Sequence, residues 1–172
     1  MKNLIKTIVT ASAVLGCASS SFAQASATAS INTTVITPIA ITKTTDLNFG
    51  NIAVSATLAG TATLAPAGTR STGGAGGVTL PATTGTVTAA AFTVSGQGNY
   101  SYIISLPASC TITSAGHTMT MASFTSNPSA TGLLSAGGSQ ALTVGATLTV
   151  AAAQPAGTYT NVTGVPVTVN YN

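Results

Sequence analysis

The closing sequence VPVTVNY, residues 165–171, carries an apolar side chain at every second position. An extended chain turns successive side chains to opposite faces, so this period of two residues predicts a β-strand with one buried face. The same alternation occurs upstream in LTVGATLTV, residues 142–150, where two strands are predicted on either side of Gly145. The residues predicted on the buried face of the terminal strand are Val165, Val167, Val169 and Tyr171.

Further short alternating segments extend this pattern through the rest of the chain. About seven strands are predicted after residue 43, separated by turn signals. Phe92–Val94 and Tyr100–Leu106 flank the turn sequence SGQGN and predict a hairpin. No segment has helical periodicity. The pattern predicts an all-β protein, an immunoglobulin-like β-sandwich, although the Cys and Trp core of antibody domains is absent.

The composition excludes many kinds of functional site. Of 172 residues, 33 are Thr and only 3% are charged, against about 25% in an ordinary domain. With one Asp and no Glu, paired-carboxylate catalysis and carboxylate-rich metal cages are excluded. His117, Cys17 and Cys110 are too few for a zinc site. We therefore expect no catalytic, metal or cofactor site, and no nucleic-acid binding because a basic patch is missing.

A serine hydrolase is also disfavoured, although His117 and Asp46 exist. No G-x-S-x-G sequence marks a nucleophile. His117 follows Ala115-Gly116, which predicts a solvated loop, and Cys110 lies in a strand-like stretch where a small buried side chain is expected.

The first 25 residues have the pattern of a secretory signal peptide. Lys2 and Lys6 precede an apolar stretch, and Ala23-Gln24-Ala25 predicts cleavage after Ala25. A second interpretation is a lipoprotein box ending at Cys17, which would then carry a lipid. No later apolar run reaches the ~18 residues of a membrane span, so none is expected in the mature chain.

Residues 26–42 are predicted to be an N-terminal extension and residues 43–172 the β-domain. The odd positions of the extension that carry branched apolar side chains are Ile31, Val35, Ile39 and Ile41. Two interpretations stand: these residues pair within their own chain as a first strand, or they are donated to a neighbour. A sandwich that lacks its last strand leaves a groove that such a donor strand fills.

Several motifs resemble those of one bacterial exported family. They are TPIAITKTTDLNFG at 37–50, AFTVSG at 91–96, LTVGATLTV at 142–150, AGTY at 156–159 and VTVNY at 167–171. Members of that family are described as a domain of unknown function and, in part, as Mat/Ecp-type fimbrial major subunits. The C-terminal end is also similar to archaic chaperone–usher pilins and spore-coat-U-like proteins, although the paired cysteines of many pilins are missing.

The resemblance implies a structural subunit of a fimbria or pilus assembled by donor-strand exchange, contributing to adhesion or biofilm. It implies copies of itself as partners, a periplasmic chaperone that pairs with Val165, Val167, Val169 and Tyr171, and an outer-membrane usher. The expected location is the surface of a Gram-negative bacterium, reached through the periplasm. The alternative is a secreted or lipid-anchored monomeric binding module. Ice binding is suggested by the Thr content alone, since the sequence contains no Thr-x-Thr ladder of fixed period.

Overall fold

The computed structural model describes residues 24–172, and within that range every regular element is a β-strand. The chain divides into one unit that ends at Thr34 and a second unit, Val35–Asn172, which holds all of the strands. Residues 24–39 have no regular secondary structure. The strands are β1 (Ala40–Thr45), β2 (Ala53–Val54), β3 (Gly60–Leu64), β4 (Arg70–Gly74), β5 (Val78–Thr79), β6 (Ala90–Ser95), β7 (Ser101–Ser105), β8 (Ser109–Ser114), β9 (His117–Asn127), β10 (Thr131–Leu133), β11 (Ser139–Val150) and β12 (Thr168–Tyr171).

The larger sheet has seven antiparallel strands organised around β11. Its path runs β1-β6-β11-β3-β4, while β9 pairs with both β11 and β8. Thr143 lies between Ala91 of β6 and Asn127 of β9, and Thr147 lies between β3 and β9. Therefore β6 and β3 occupy one edge of β11 in tandem, and β9 occupies the other.

Gly145 lies where β11 passes from β6 to β3. A Cβ atom at this position would collide with the carbonyl oxygen of Leu64. The absence of a side chain lets β3 approach at this point. Residues 142–150 therefore form part of one continuous strand instead of the two that were predicted.

The second sheet has the order β10-β7-β12, and β2 pairs with β5 in a small third sheet. The predicted hairpin is wrong: β6 pairs with β1 and β11, whereas β7 pairs with β10 and β12. The connection over residues 96–100 thus crosses from one sheet to the other. Local turn signals predicted the turn but could not predict which sheet each strand joins.

Two apolar clusters form the interior. The first joins β3, β9 and the second half of β11. The second joins β6 and the first half of β11 to β7 and β12, so the two larger sheets pack against each other. Leu47 and Phe124 contact both clusters. The largest fully buried side chains are apolar apart from one tyrosine hydroxyl: Tyr102, Leu64, Leu134, Leu142, Leu148, Val94, Val144 and Val150.

The few charged groups of residues 24–172 have local roles. Lys43 and Asp46 form an exposed ion pair three residues apart. The guanidinium of Arg70 donates hydrogen bonds to the carbonyl oxygens of Phe49 (2.6 Å) and Asn51 (2.8 Å), which ties β4 to the segment before β2.

Two of the sequence predictions lie on residues that precede the described range. The signal peptide up to Ala23, with the alternative lipid site at Cys17, lies outside the described residues. Ala25 is described and exposed. Between residues 24 and 172 there is no helix that is long and apolar enough to cross a membrane.

Candidate functional site

The terminal strand β12 is the starting point of the candidate site. It begins at Thr168, and its inward-facing Val169 is 7% exposed while Thr168 and Asn170 are exposed. Val165 and Val167 are half-buried against the two core clusters but precede the strand. Pro166 lacks a backbone N–H, which explains why regular pairing starts only after it.

One edge of β12 has no partner strand in the described residues, because β12 pairs with β7 alone. The backbone N–H of Asn172 donates to the carbonyl oxygen of Ser101 in β7 at 3.2 Å. In an antiparallel pair every second residue makes these bonds, so Asn170 and Thr168 also face β7. The N–H and C=O groups of Val169 and Tyr171 point to the opposite side. They present a row of unpaired backbone groups on which a further strand can form.

A second unpaired edge lies beside the first. β1 is the end strand of the larger sheet, and its Cα atoms approach those of β12 within 8 Å without strand pairing between them. Half-buried apolar side chains that pack on the second core cluster come from both sides. We call these two strand edges together with these side chains the β1–β12 cleft, and the side chains are Ile39, Ile41, Val167 and Tyr171.

Tyr171 fixes the chain at the entrance to β1. Its hydroxyl accepts a hydrogen bond from the backbone N–H of Gln97 and donates one to the carbonyl oxygen of Thr37, each at 2.6 Å. The side-chain oxygen of Gln97 accepts from the N–H of Thr37 at 3.3 Å. A Cβ at Gly96 would displace the Tyr171 hydroxyl from this position. Both backbone groups of Thr37 are therefore held by its own domain.

The structure divides the four predicted donor residues into two pairs. Ile39 and Ile41 follow Thr37 and pack on the second cluster of their own chain, with Ile41 opposite Val94 of β6. Ile31 and Val35 precede Thr37 and are 94% and 91% exposed. The compact unit that holds the strands begins at Val35.

The exposed stretch before Thr37 has a regular pattern of its own. Every side chain from residue 24 to residue 35 is exposed. Its odd positions are mostly apolar and its even positions are all polar. The odd residues are Ala27, Ala29, Ile31, Thr33 and Val35, and the even ones are Ser26, Thr28, Ser30, Asn32 and Thr34. The sequence shows the same alternation through Ile39 and Ile41, and only the structure shows that its exposed part ends at Val35.

The residues with catalytic side chains are dispersed. His117 is exposed at the start of β9, and Cys110 is half-buried with its Sγ 2.9 Å from the side-chain nitrogen of Asn161. Between residues 24 and 172 no three His, Cys, Asp or Glu side chains lie close enough to hold a metal ion. Burial raises the pKa of the Tyr102 hydroxyl, which donates to the side-chain oxygen of Gln140 at 2.8 Å in the core.

A family model described as a domain of unknown function (DUF4402) matches residues 39–171. The match runs from Ile39, just before β1, to Tyr171 at the end of β12, and it leaves out the exposed alternating stretch. No curated protein and no solved structure matches the chain.

Proposed function

This chain belongs to the DUF4402 family, and we propose that it is a structural subunit of a bacterial surface fimbria assembled by donor-strand exchange. We further propose that the fold is an immunoglobulin-like β-sandwich that lacks its last strand. The observation that carries both proposals is the β1–β12 cleft. Two unpaired strand edges, one from each sheet, lie side by side over apolar side chains that their own chain covers only in part.

A single added strand would complete this cleft. Hydrogen-bonded to β12, it would pair with the free backbone groups of Val169 and Tyr171. Every second side chain of that strand would face the second core cluster, on the side where Ile39, Ile41 and Val167 pack. An occupant therefore needs an extended segment with apolar residues at alternate positions and polar residues between them.

The stretch from residue 26 to residue 35 has this pattern and is exposed along its whole length. Ten residues in extended form span roughly 33 Å at about 3.3 Å each, which exceeds the length of a typical strand. We propose that Ile31 and Val35 are the main side chains that enter a neighbour's cleft. Ile39 and Ile41 then line the cleft that receives the next subunit's segment.

The energetics of one such contact suit a stable fibre. Burying an Ile or Val side chain contributes about 1.5–3 kcal/mol, and each net hydrogen bond contributes about 1 kcal/mol. The donor and the cleft are different surfaces of one subunit. Contacts of this kind repeat head to tail without closing, and they generate a filament.

The same unpaired edges would be a liability before assembly, because they also promote aggregation. We propose that a periplasmic chaperone strand pairs with β12 and the residues before it, along Val165, Val167, Val169 and Tyr171, until an outer-membrane usher exchanges it for the donor. The predicted signal peptide at residues 1–25 directs the chain to that compartment. The mature subunit is then placed at the surface of a Gram-negative cell.

The test uses two double variants that add the same charge to the same segment. Ile31→Asp with Val35→Asp puts carboxylates on the odd face, whereas Asn32→Asp with Thr34→Asp puts them on the polar face. A carboxylate that enters an apolar cleft is desolvated at a cost of several kcal/mol. We expect unheated surface extracts to show a ladder of multimers for the wild type and for the polar-face variant. The odd-face variant should be exported but run as a monomer.

Two results would contradict the proposal. A ladder that persists in the odd-face variant would show that Ile31 and Val35 do not enter a cleft. A wild-type chain that is monomeric at the surface would favour the secreted or lipid-anchored binding module instead. In that case the intact mass of the mature chain distinguishes an acylated Cys17 from a free chain that begins after Ala25.

A further inference from the structure

Four neighbouring strands of the larger sheet each carry a Thr-x-Thr sequence on their outer face. The middle residues are Ala62 in β3, Ile112 in β8, Met119 in β9 and Leu148 in β11, and all four belong to the first core cluster or pack against it. Since side chains alternate across a strand, the two threonines on either side face outward. With Thr160, which bridges to Thr113, the set contains nine threonines: Thr61, Thr63, Thr111, Thr113, Thr118, Thr120, Thr147, Thr149 and Thr160.

Strand register aligns these residues into rows across the sheet, which we call the threonine face. In the central row each residue lies opposite the next, in the order Thr61, Thr149, Thr120, Thr111. A parallel row runs Thr63, Thr147, Ala122, Ser109, and a third runs Thr118, Thr113, Thr160. The Oγ1 atoms of Thr63 and Thr147 are 3.0 Å apart. None of the rows contains a charged or aromatic side chain.

The face is thus a two-dimensional lattice of hydroxyl and methyl groups. Neighbouring strands are about 4.8 Å apart, and successive outward residues on one strand are about 6.6 Å apart. Buried middle residues hold the strands, and β-branching restricts each threonine to few rotamers. Sheet twist rotates neighbouring strands by about 20–25°, so the most regular part lies at the centre, around Thr149 and Thr120.

The chemistry of the face narrows the choice of partner. An anionic lipid or nucleic acid requires Lys or Arg, and the rows contain neither. The aromatic rings that commonly line binding sites are also missing, because the Phe and Tyr side chains near this sheet pack on the core. The uncharged hydroxyls at fixed spacings match a partner that is itself neutral. That partner should carry its own regular array of hydrogen-bonding oxygens.

We propose that the threonine face binds ice. The hydroxyls hydrogen-bond to a first layer of water, and the methyl groups between them limit other arrangements of that layer. The ordered layer is continuous with the oxygen lattice of the ice surface. The face lies on the outside of the larger sheet, away from the β1–β12 cleft, so this activity does not depend on fibre assembly. In a fibre, repeated copies would increase the avidity.

The test measures inhibition of ice recrystallisation and partition of the purified mature protein into a growing ice surface. Thr120→Lys with Thr149→Lys places two charged chains on cross-strand partners at the centre of the face. Thr42→Lys with Thr93→Lys is the matched control, because these exposed residues are also cross-strand partners on the outer side of the same sheet. We expect at least about a tenfold loss of partition in the first variant, equal to about 1.4 kcal/mol, and none in the control.

Circular dichroism establishes that each variant is folded. If the central pair does not fold, Thr111→Lys on the end strand β8 should lower the partition instead. A wild-type protein that partitions no better than serum albumin would overturn the proposal, as would an equal loss in the control pair. The odd-face variant of the donor segment separates the two proposals: as a monomer it should still partition into ice.

Discussion

Removing the Tyr171 hydroxyl should loosen the connection between the terminal strand and the start of β1. In Tyr171→Phe the N–H of Gln97 and the carbonyl of Thr37 both lose a partner at 2.6 Å. Thr37 is exposed, so water replaces its bond, whereas Gln97 is half-buried and is solvated less well. We therefore expect a loss of about 1–2 kcal/mol in the free energy of unfolding. For a chain of this size that lowers Tm by roughly 3–6 °C.

The assay is thermal unfolding of the monomeric odd-face variant, which avoids stabilisation by neighbouring subunits. Tyr100→Phe is the matched control. Its ring packs edge-on against Tyr171 with the ring centroids 5.8 Å apart, but its hydroxyl bonds to no protein atom among the described residues. We expect the control to change Tm by less than about 1 °C, within the usual range for surface substitutions. Equal Tm values for the two variants would refute the role assigned to the Tyr171 hydroxyl.

Three other substitutions test the core. Burial raises the pKa of Tyr102 above its usual 10.0, so the folded state holds this proton more tightly than the unfolded state does. The contribution of the protonated Tyr102 to stability should therefore be complete below pH 10 and be lost as pH rises further. The variant Tyr102→Phe should flatten this alkaline decline in Tm. Leu142→Ala removes a fully buried side chain and should lower the free energy of unfolding, measured by denaturant titration, by about 2–5 kcal/mol. An unchanged Tm in this variant would count against the assigned core. Gly145→Ala should lower Tm through the clash with the carbonyl of Leu64, whereas Gly137→Ala, which has ordinary space around it, should not.

The sequence predicted the strand class well because alternation is a local property. Val, Leu and Tyr at alternate positions identified β12 and most of β11. The same local signal could not separate Ile31 and Val35 from Ile39 and Ile41, since all four share one parity. The separation depends on the contact of Thr37 with Tyr171, 134 positions away in sequence.

The threonine face, too, could not be predicted from local sequence alone. The four Thr-x-Thr units begin at residues 61, 111, 118 and 147, so their spacing in sequence is irregular. Strand order and register bring them together, because β11 pairs with β3 on one edge and with β9 on the other. A search for a fixed period in the sequence therefore misses a lattice that exists only across strands.

The most direct test of donor-strand exchange is a disulfide between two different subunits. One chain carries Ile31→Cys or Thr33→Cys in the donor segment, a second chain of different mass carries Val167→Cys in the cleft, and both carry Cys110→Ser to remove the remaining thiol of the mature chain. Cross-linking requires Cα atoms within about 7 Å. We expect the mixed fibres to yield a covalent dimer containing one chain of each mass. Fibres that form without any such dimer would contradict donation of residues 26–35 to a neighbouring cleft.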